Sequence, residues 1–479
     1  MCMNHCCRVS FQNVLGSVLV LISVSSCTMV GPDYHSPNTV TPDKWHQSLP
    51  GATSSNRAEI QAWWRNYNDS KLNRLIGLAE GKNLTLAQAK ERIEQARAAR
   101  TVARSGLFPF VDGTGGYTRS RTTENGSSSF GGVSSDTYSL GFDTGWEIDF
   151  WGRNRRLVEA AAANEAASVE FMRDALVSLY AEVAVTYLEI RTVEERIQIT
   201  RRNLGTQKDS VKLAQERLDA GLVPEQDVTQ AQANQANTEA TIPQLRQQRA
   251  AALSRLAVLL GMYPGEVDRL IGTSAKIPMP AKSVTRGLPA DLLRARPDLR
   301  AAERSLAAAT ANIGVQKAEL YPQFTLGGTF ALQAASSRDV LESGSRNYGF
   351  GPGFRWQLFS AGRVKSLVKI EESRTREAYH AYENAVLTAV SEVESSMAEL
   401  SEERNRLAAL DRALEAAKKS NDLIKRNYKN GLVPFQNVLD AERVVLQTED
   451  NRAFSRGKIA AAYARLYKAL GGGARVQSK

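Results

Sequence analysis

The chain has 479 residues, with 61 lysines and arginines against 51 aspartates and glutamates, a formal charge of +10, and four each of cysteine and histidine. The length allows two or three domains, and the positive charge raises the question of nucleic acid. Basic residues are interleaved with acids along helical stretches, as in Glu194-Glu195-Arg196 and Glu402-Glu403-Arg404, a pattern of solvated helix faces that argues against a nucleic-acid-binding stripe.

At the N-terminus, a basic start (Arg8) precedes an apolar run from Val14 to Val24, followed by Ser25-Ser26-Cys27. The run of 11 residues is too short to cross a bilayer core of about 30 Å, so residues 1–26 read as a cleaved signal peptide. A cysteine directly after two small residues predicts a lipoprotein signal, with Cys27 acylated by palmitate-type chains as the first mature residue. Thr28 follows it, where an aspartate would suggest retention at the inner membrane. Cys2, Cys6 and Cys7 leave with the leader, so the mature chain forms no internal disulfide. The crowded Cys2, His5, Cys6 and Cys7 are not read as a metal cluster for the same reason. The covalent lipid on Cys27 is the only non-protein group expected; no metal or other cofactor is.

After a lipidated N-terminal segment (27–70), two motifs recur at one spacing. Trp146-Glu147-Ile148-Asp149-Phe150-Trp151-Gly152-Arg153 returns as Trp356-Gln357-Leu358-Phe359-Ser360-Ala361-Gly362-Arg363, and Gly221-Leu222-Val223-Pro224 returns as Gly431-Leu432-Val433-Pro434, each 210 residues on. A long-period duplication is one structural unit used twice. The predicted units are 71–275, with a helix, a β-hairpin at 107–150 and a helical hairpin at 153–262, and 291–479, with a helix, a β-hairpin at 321–360 and a helical hairpin at 363–470. A Pro-rich linker, 276–290, joins them.

Each β segment alternates cleanly. Tyr138, Leu140, Phe142, Trp146 and Ile148 share one face, against Ser139, Gly141, Asp143, Gly145, Glu147 and Asp149. Tyr348, Phe350, Phe354, Trp356 and Leu358 do the same against Gly349, Gly351, Gly353, Arg355 and Gln357. Partner strands are predicted near Phe108 to Arg119 and Tyr321 to Leu332, giving four strands in two hairpins. Strands of about ten residues, apolar on one face and glycine-rich on the other, suit a transmembrane barrel; a half-buried soluble sheet alternates identically. The exported, lipid-anchored context and the length of the helices favour the barrel, with Trp146, Trp151 and Trp356 in its interfacial aromatic belt. Four strands cannot close, since small barrels need about eight and open edges are not tolerated in lipid. The chain must therefore oligomerise, and geometry alone leaves two, three or four subunits open.

Val364 to Asn430 contains no Gly or Pro and predicts one helix on the order of 100 Å long. Its counterpart, Leu157 to Ala220, is interrupted only by Gly205. Apolar residues at Val386, Val390, Val393, Met397, Leu400, Leu407 and Leu414 form a coiled-coil-like seam, broken by Arg404 and Asp411. Gly221 and Gly431 supply left-handed helix ends, and Pro224 and Pro434 open return helices. Ile242-Pro243 is expected to kink or divide the first return helix.

These residues together resemble the TolC-like outer-membrane efflux proteins, in the lipoprotein branch with NodT-like and OprM-like members. The specific pieces are Cys27-Thr28-Met29-Val30-Gly31-Pro32-Asp33-Tyr34, Gly287-Leu288-Pro289-Ala290-Asp291-Leu292-Leu293, Arg296-Pro297-Asp298 running into Ala301-Ala302-Glu303, the two GLVP tips, and Leu439-Asp440-Ala441. The resemblance covers essentially the whole mature chain. It implies an α+β membrane protein: a homotrimer whose twelve strands, four per chain, form one outer-membrane β-barrel continuous with a long periplasmic α-helical barrel. An equatorial belt is implied near Leu72 to Lys82, Leu256 to Asp268 and the C-terminal region. The resemblance implies a channel that passively conducts drugs and other small toxic compounds delivered by an inner-membrane pump of RND type through a periplasmic adaptor.

By the same resemblance, Asn437 and Asp440 match acidic positions that ring the periplasmic entrance, where carboxylates in a narrow bore would favour cations; a competing reading pairs Asp440 with a neighbouring helix through Arg443. Gln436 is a further candidate for narrowing the bore, and Asp227 for a tip lock, although Val433 stands where some members carry that lock's arginine. Leu222, Val223, Leu432 and Val433, with the flanking glycines and prolines, are the expected adaptor-docking tips. An enzyme finds no support: His35, His46 and His380 are isolated, and no HExxH, CxxC or Walker loop occurs. The remaining rivals are an exit duct for secreted proteins or oligosaccharides and a non-conducting, periplasm-spanning structural lipoprotein.

Overall fold

The computed structural model describes residues 29–38, 44–47, 60–125, 132–280 and 295–474, with the backbone alone at 53–54 and 285–286. The signal sequence, Cys27 and Gly287 to Leu293 lie outside the described residues. Contacts divide the chain into two units, the first comprising 1–37, 93–168 and 302–382 and the second 38–92, 169–301 and 383–479.

The helices and strands occur in the order α1 (Ser70–Lys82), α2 (Leu84–Ser105), β1 (Phe110–Arg121), β2 (Ser134–Ile148), α3 (Arg153–Asp219), α4 (Glu225–Leu260), α5 (Pro264–Ile271), α6 (Pro297–Ala318), β3 (Gln323–Ala334), β4 (Arg346–Arg355), α7 (Arg363–Lys429) and α8 (Phe435–Ala469). The 67-residue α3 and α7 start and end 210 residues apart, as do the starts of α4 and α8. A two-residue parallel pairing joins Thr53–Ser54 to Thr285–Arg286.

The first unit holds a four-stranded sheet in chain order, β1-β2-β3-β4, antiparallel throughout. Its register puts Phe142, Phe330 and Tyr348 in one row and Trp146 and Leu326 in another, so the alternation seen in sequence becomes a continuous apolar face. Leu140, Phe142, Phe330, Tyr348, Phe350 and Phe354 on that face are all exposed. Pro109 and Pro322 lie four residues beyond the ends of α2 and α6, where the missing N–H and restricted φ favour the change from helix to strand.

The helix-side end of the sheet is pinned by its tryptophans. Trp146 and Trp356 donate from Nε1 to the carbonyls of Leu107 and Leu320, both at 3.1 Å, and Trp151 donates to Pro322 at 2.9 Å while stacking on Tyr321. The Asp149 carboxylate accepts from the backbone N–H groups of Asn154 (2.9 Å) and Arg155 (3.0 Å), satisfying free donors at the start of α3. The N-terminal strap docks beside it: Val30 N–H donates to Trp151 O (3.1 Å), and the buried Arg156 donates to the carbonyls of Val30 and Gly31 and to Asp33 at 2.7 Å.

The second unit is helical. Asp69 caps α1 through Lys71 and Leu72 N–H groups; Arg191, 1% exposed, donates to the carbonyls of Ile271 and Gly272 and to Glu194. Burial pushes the Tyr187 hydroxyl, bonded to Asp69, up to about 12. Trp63 stacks on Tyr467 near the end of α8. Of the predicted α7 seam, Val386, Val393, Met397 and Leu400 are buried, while Val390, Leu407 and Leu414 are half-buried. Asp411, one of the seam breaks, is bonded to Arg452 of α8 at 2.5 Å.

Of the two outcomes expected at Ile242-Pro243, a kink or a division, the division does not occur: α4 runs through Pro243 as a single 36-residue helix. Ile242 and Leu245 are buried, Leu245 against Val193 and Ile197 of α3, so packing on both sides of the proline outweighs the lost backbone bond. Among the described residues, no helix is long and apolar enough to cross a membrane, and no cluster of three or more His, Cys, Asp or Glu residues suits a metal ion.

Candidate functional site at the helical-hairpin tips

The two tips share one backbone design. Gly221 (φ 71°) and Gly431 (φ 74°) occupy the left-handed region. In the first tip, Gly221 N–H donates to Leu218 O (2.8 Å) and Leu222 N–H to Arg217 O (2.9 Å); in the second, Gly431 N–H donates to Tyr428 O and Leu432 N–H to Asn427 O, both at 2.9 Å. These paired bonds are the Schellman cap that ends a helix on glycine. Pro224 and Pro434, extended at ψ 157°, then cap α4 and α8.

Beneath the caps, the two hairpins share a small core of Ala214, Val228, Ala231, Tyr428, Phe435, Val438 and Leu439, with Leu218 and Val433 packed against it. The rings of Tyr428 and Phe435 lie 5.0 Å apart. Arg217 of α3 reaches across to the end of α7, where Nη1 donates to Tyr428 O (2.6 Å) and Lys429 O (3.2 Å). Its guanidinium also lies 4.7 Å from the Tyr428 ring centroid. A cation on the free carbonyls of a helix C-terminus is favourable, so Arg217 fastens the first hairpin to the second. The end residues differ: Leu222 and Leu432 are 65% and 71% exposed, whereas Val223 and Val433 are half-buried.

The candidate gate residues fall into two groups. Gln436, Asn437 and Asp440 lie exposed on α8. The Asp440 carboxylate accepts from Gln436 Nε2 (3.3 Å) and pairs with Arg443 (3.1 Å). Arg443 is three residues further along the same helix, so this pair does not tie Asp440 to a neighbouring helix. Asp227 is half-buried at the start of α4. Desolvation pushes its carboxyl up from the ordinary value, against the opposing pull of Arg217. Burial and the charge of Asp227 push the Tyr428 hydroxyl up as well, placing Asp227 in the field of the inter-hairpin contact.

Sequence reasoning missed Arg217, Tyr428 and Phe435. The signal lay in comparing the copies position by position: Leu218 corresponds to Tyr428, Glu225 to Phe435, and Arg217 to Asn427 across the 210-residue spacing. The aromatic pair is thus present only in the second copy and the arginine only in the first.

The sequence profile of the family described as "Outer membrane efflux protein" matches residues 75–262 and again 288–472. The chain belongs to this family. Nodulation protein T of Rhizobium leguminosarum bv. trifolii is 30% identical over 457 residues, covering 94% of this chain and 95% of the relative. The pyoverdine export outer membrane protein OpmQ of Pseudomonas putida is 28% identical over 460 residues, 95% and 97% of the two chains. The solved outer-membrane channel OprN superposes with a TM-score of 0.85 at 32% identity, covering 93% of this chain and 99% of that one. The outer membrane efflux protein described here falls in the NodT/OprM-like branch. It is an outer-membrane channel component of RND-type tripartite efflux systems, a transport protein and not an enzyme.

Proposed function

We propose that three copies of this efflux protein close twelve strands into one outer-membrane β-barrel, with α3, α4, α7 and α8 of each copy lining a helical conduit through the periplasm. The observation that carries this reading is the four-stranded sheet. Its apolar face is exposed, its outer strands have no further pairing among the described residues, and in lipid such edges must be paired. Family membership supports three as the closing number. The repeats, 71–275 and 291–479, then each give one β-hairpin to the wall and one helical hairpin to the conduit.

The cargo is a small compound, a drug or other toxic molecule, handed over by an RND-type pump and a periplasmic adaptor. The export role in the name of the OpmQ relative supports a small-molecule cargo over a secreted protein. Acylation of Cys27 anchors each copy to outer-membrane lipid; the strap that begins two residues later, at Met29, is fixed by Arg156 beside Trp151. Trp146, Trp151 and Trp356 mark the periplasmic interface of the barrel. The adaptor docks on the tips, where Leu222 and Leu432 offer exposed apolar contact.

The gate is the exposed face of α8. Asp440, with Gln436 and Asn437, narrows the bore and favours cations there, while Asp227 belongs to the hairpin-to-hairpin fastening beside it. Single-channel recording of the purified protein in planar bilayers tests both parts. Wild type is expected to conduct with cation preference, and Asp440→Ala to lower that preference and raise conductance. A silent wild type would reject the channel reading; identical traces would remove Asp440 from the gate.

A further inference from the structure

The two β-hairpins are copies in register as well as in sequence. Trp146 and Trp356 donate to the carbonyls of Leu107 and Leu320 at the same 3.1 Å, which fixes the correspondence. β2 maps onto β4 with the 210-residue spacing, and β1 maps onto β3 with Leu107 on Leu320 and Pro109 on Pro322. Carried across, the β1–β2 pairs Phe110–Gly145 and Thr118–Thr137 become Gln323–Arg355 and Ala331–Asn347, which are observed pairs of β3 and β4. The junction of β2 with β3 has no such second copy within the chain. β2 pairs with β1 only as far as Gly145, and continues through Trp146, Glu147 and Ile148 because β3 offers Leu326, Thr325 and Phe324 on its other side. Their counterparts Trp356, Gln357 and Leu358 follow the end of β4 at Arg355 and have no strand pairing among the described residues.

The missing copy is a junction between the β4 edge and a β1 edge, and β1 lies at the far side of the same sheet, so a second molecule must supply it. Resting on the trimeric barrel of the preceding section, we propose that β4 of one copy pairs with β1 of the next in the register of β2 on β3, and that β4 thereby lengthens through Leu358. Trp356 then stands opposite the partner's Gly113, as Trp146 stands opposite Leu326, and Phe354 opposite the partner's Gly115, as Thr144 stands opposite Gly328. The side chains support the same register independently. Phe354 and Trp356 are 71% and 49% exposed on the apolar face of the sheet. A Cβ added at Gly113 meets nothing within 4 Å, and one at Gly115 meets only Leu140 Cδ1 at 3.6 Å and Ser139 O at 3.8 Å, so the β1 edge is bare at both positions. A slip of two residues sets Trp356 opposite Val111 in one direction and Phe354 opposite Tyr117 in the other, and a slip of one exchanges the two faces of the strand. Only the register of the repeat gives both rings a glycine. A ring laid over a cross-strand glycine covers backbone that is otherwise bare. The sheet already does this once, where the Phe110 ring lies 2.8 Å from the place of a Cβ on its partner Gly145.

Cysteine pairs in the full chain read the register directly. Opposed residues of an antiparallel pair have Cβ atoms about 4.5–5.5 Å apart and those two residues out of register about 7–8 Å, while a disulfide spans about 3.5–4.5 Å. β1 and β4 of one chain are three strand spacings apart, about 14 Å, so a disulfide between them joins two copies. Gln357→Cys combined with Asp112→Cys is expected to give covalent dimers and trimers on non-reducing gels. Gln357→Cys combined with Phe110→Cys or Thr114→Cys, the pairs slipped by two, is expected to cross-link at least about tenfold less, with each single variant as the blank. Gly353→Cys with Gly116→Cys is a second in-register pair, set against Gly353→Cys with Thr114→Cys or Thr118→Cys, so that the readout does not hang on one variant. Light scattering of each purified sample reports the assembly separately. Trimers in which a slipped pair cross-links best, or in which neither in-register pair cross-links, overturn the register and leave the trimeric barrel standing. Protein that folds but assembles in another number overturns the barrel reading and this seam with it.

Discussion

Gly221 and Gly431 hold nearly the same φ, 71° and 74°, inside caps with the same pair of backbone bonds, and each is followed two residues later by a half-buried valine. The helices that continue from the two caps nonetheless differ. α4 opens with Glu225 and Asp227 in its first turn, acids that suit a helix N-terminus, and α8 opens with Phe435 driven into the shared core at 1% exposure. The first hairpin supplies a cation, Arg217, to the end of the second; the second supplies the aromatic pair on which the first rests. Duplication has therefore kept the turn and divided the labour of the side chains, with one tip as fastener and the other as both anchor and the exposed face proposed as the gate.

The largest effect that separates these roles is expected at the cap itself. An added Cβ at Gly431 meets nothing within 4 Å, so Gly431→Asp disturbs the fold only through its left-handed backbone, at about 1–2 kcal/mol. It places a charge beside the exposed Leu432, where the adaptor is proposed to dock. Drug resistance in an efflux-deficient host is expected to be lost while the cross-linked trimer persists on gels. Gly221→Asp is the matching probe: equal loss would mean that both tips dock alike, and retained resistance would confine docking to the second. Val433→Asp is the less clean variant, since Val433 packs against the tip core.

Phe435→Ala comes next. Removing a buried phenyl ring is expected to cost about 3–5 kcal/mol, felt locally as faster amide hydrogen exchange in the last turns of α7 and the first of α8. The corresponding change in the first copy, Glu225→Ala, is expected to leave exchange almost unchanged. Similar exchange in the two variants would refute the division between anchor and fastener.

Arg217→Ala removes a charged donor from two carbonyls and from the Tyr428 ring. Hydrogen bonds to charged groups contribute about 1.5–3 kcal/mol each way they are measured, so a loss of about 2 kcal/mol is expected. Its signature is functional, since freeing the first hairpin from the second should raise single-channel conductance with Asp440 untouched. Conductance equal to wild type would show that the tips are held by the apolar core alone.

How much of this was legible in sequence follows the range of the forces involved. The strand faces, the 67-residue helices and the glycine caps are written in local periodicity and in residues with special φ, so Phe142, Gly221 and Gly431 could be placed without a partner. Pro243 shows the limit: its local signal to break the helix is real, but Ile242 and Leu245 are held by packing that no local pattern reveals. The candidate site divides the same way. Asp440, singled out by the family resemblance, stands on an exposed helix face, whereas Arg217 acts across to a residue 211 positions away. Its importance depends on a neighbouring helix end that the sequence brings near only through the whole fold.

The smallest prediction bears on Asp227, which separates the tips by charge, and its sign follows from the direction of its shift. Desolvation raises its carboxyl pKa above the unfolded value, with Arg217 opposing. A raised acid binds its proton more tightly when folded, so its favourable contribution is complete below the unfolded value and is lost as pH rises through the folded one. At neutral pH the ionised Asp227 is therefore a net cost to the tip. Asp227→Asn removes that charge and is expected to raise the unfolding midpoint slightly at pH 7, with the gain shrinking as the pH falls toward the ordinary carboxylate range. The matching residue in the second copy is already Asn437, so its own reversal, Asn437→Asp, tests the comparison from the other side. Because Asn437 is exposed, that substitution should bring little desolvation and a flat pH response; a response as steep as that of Asp227 would mean that the second tip is as closed to water as the first.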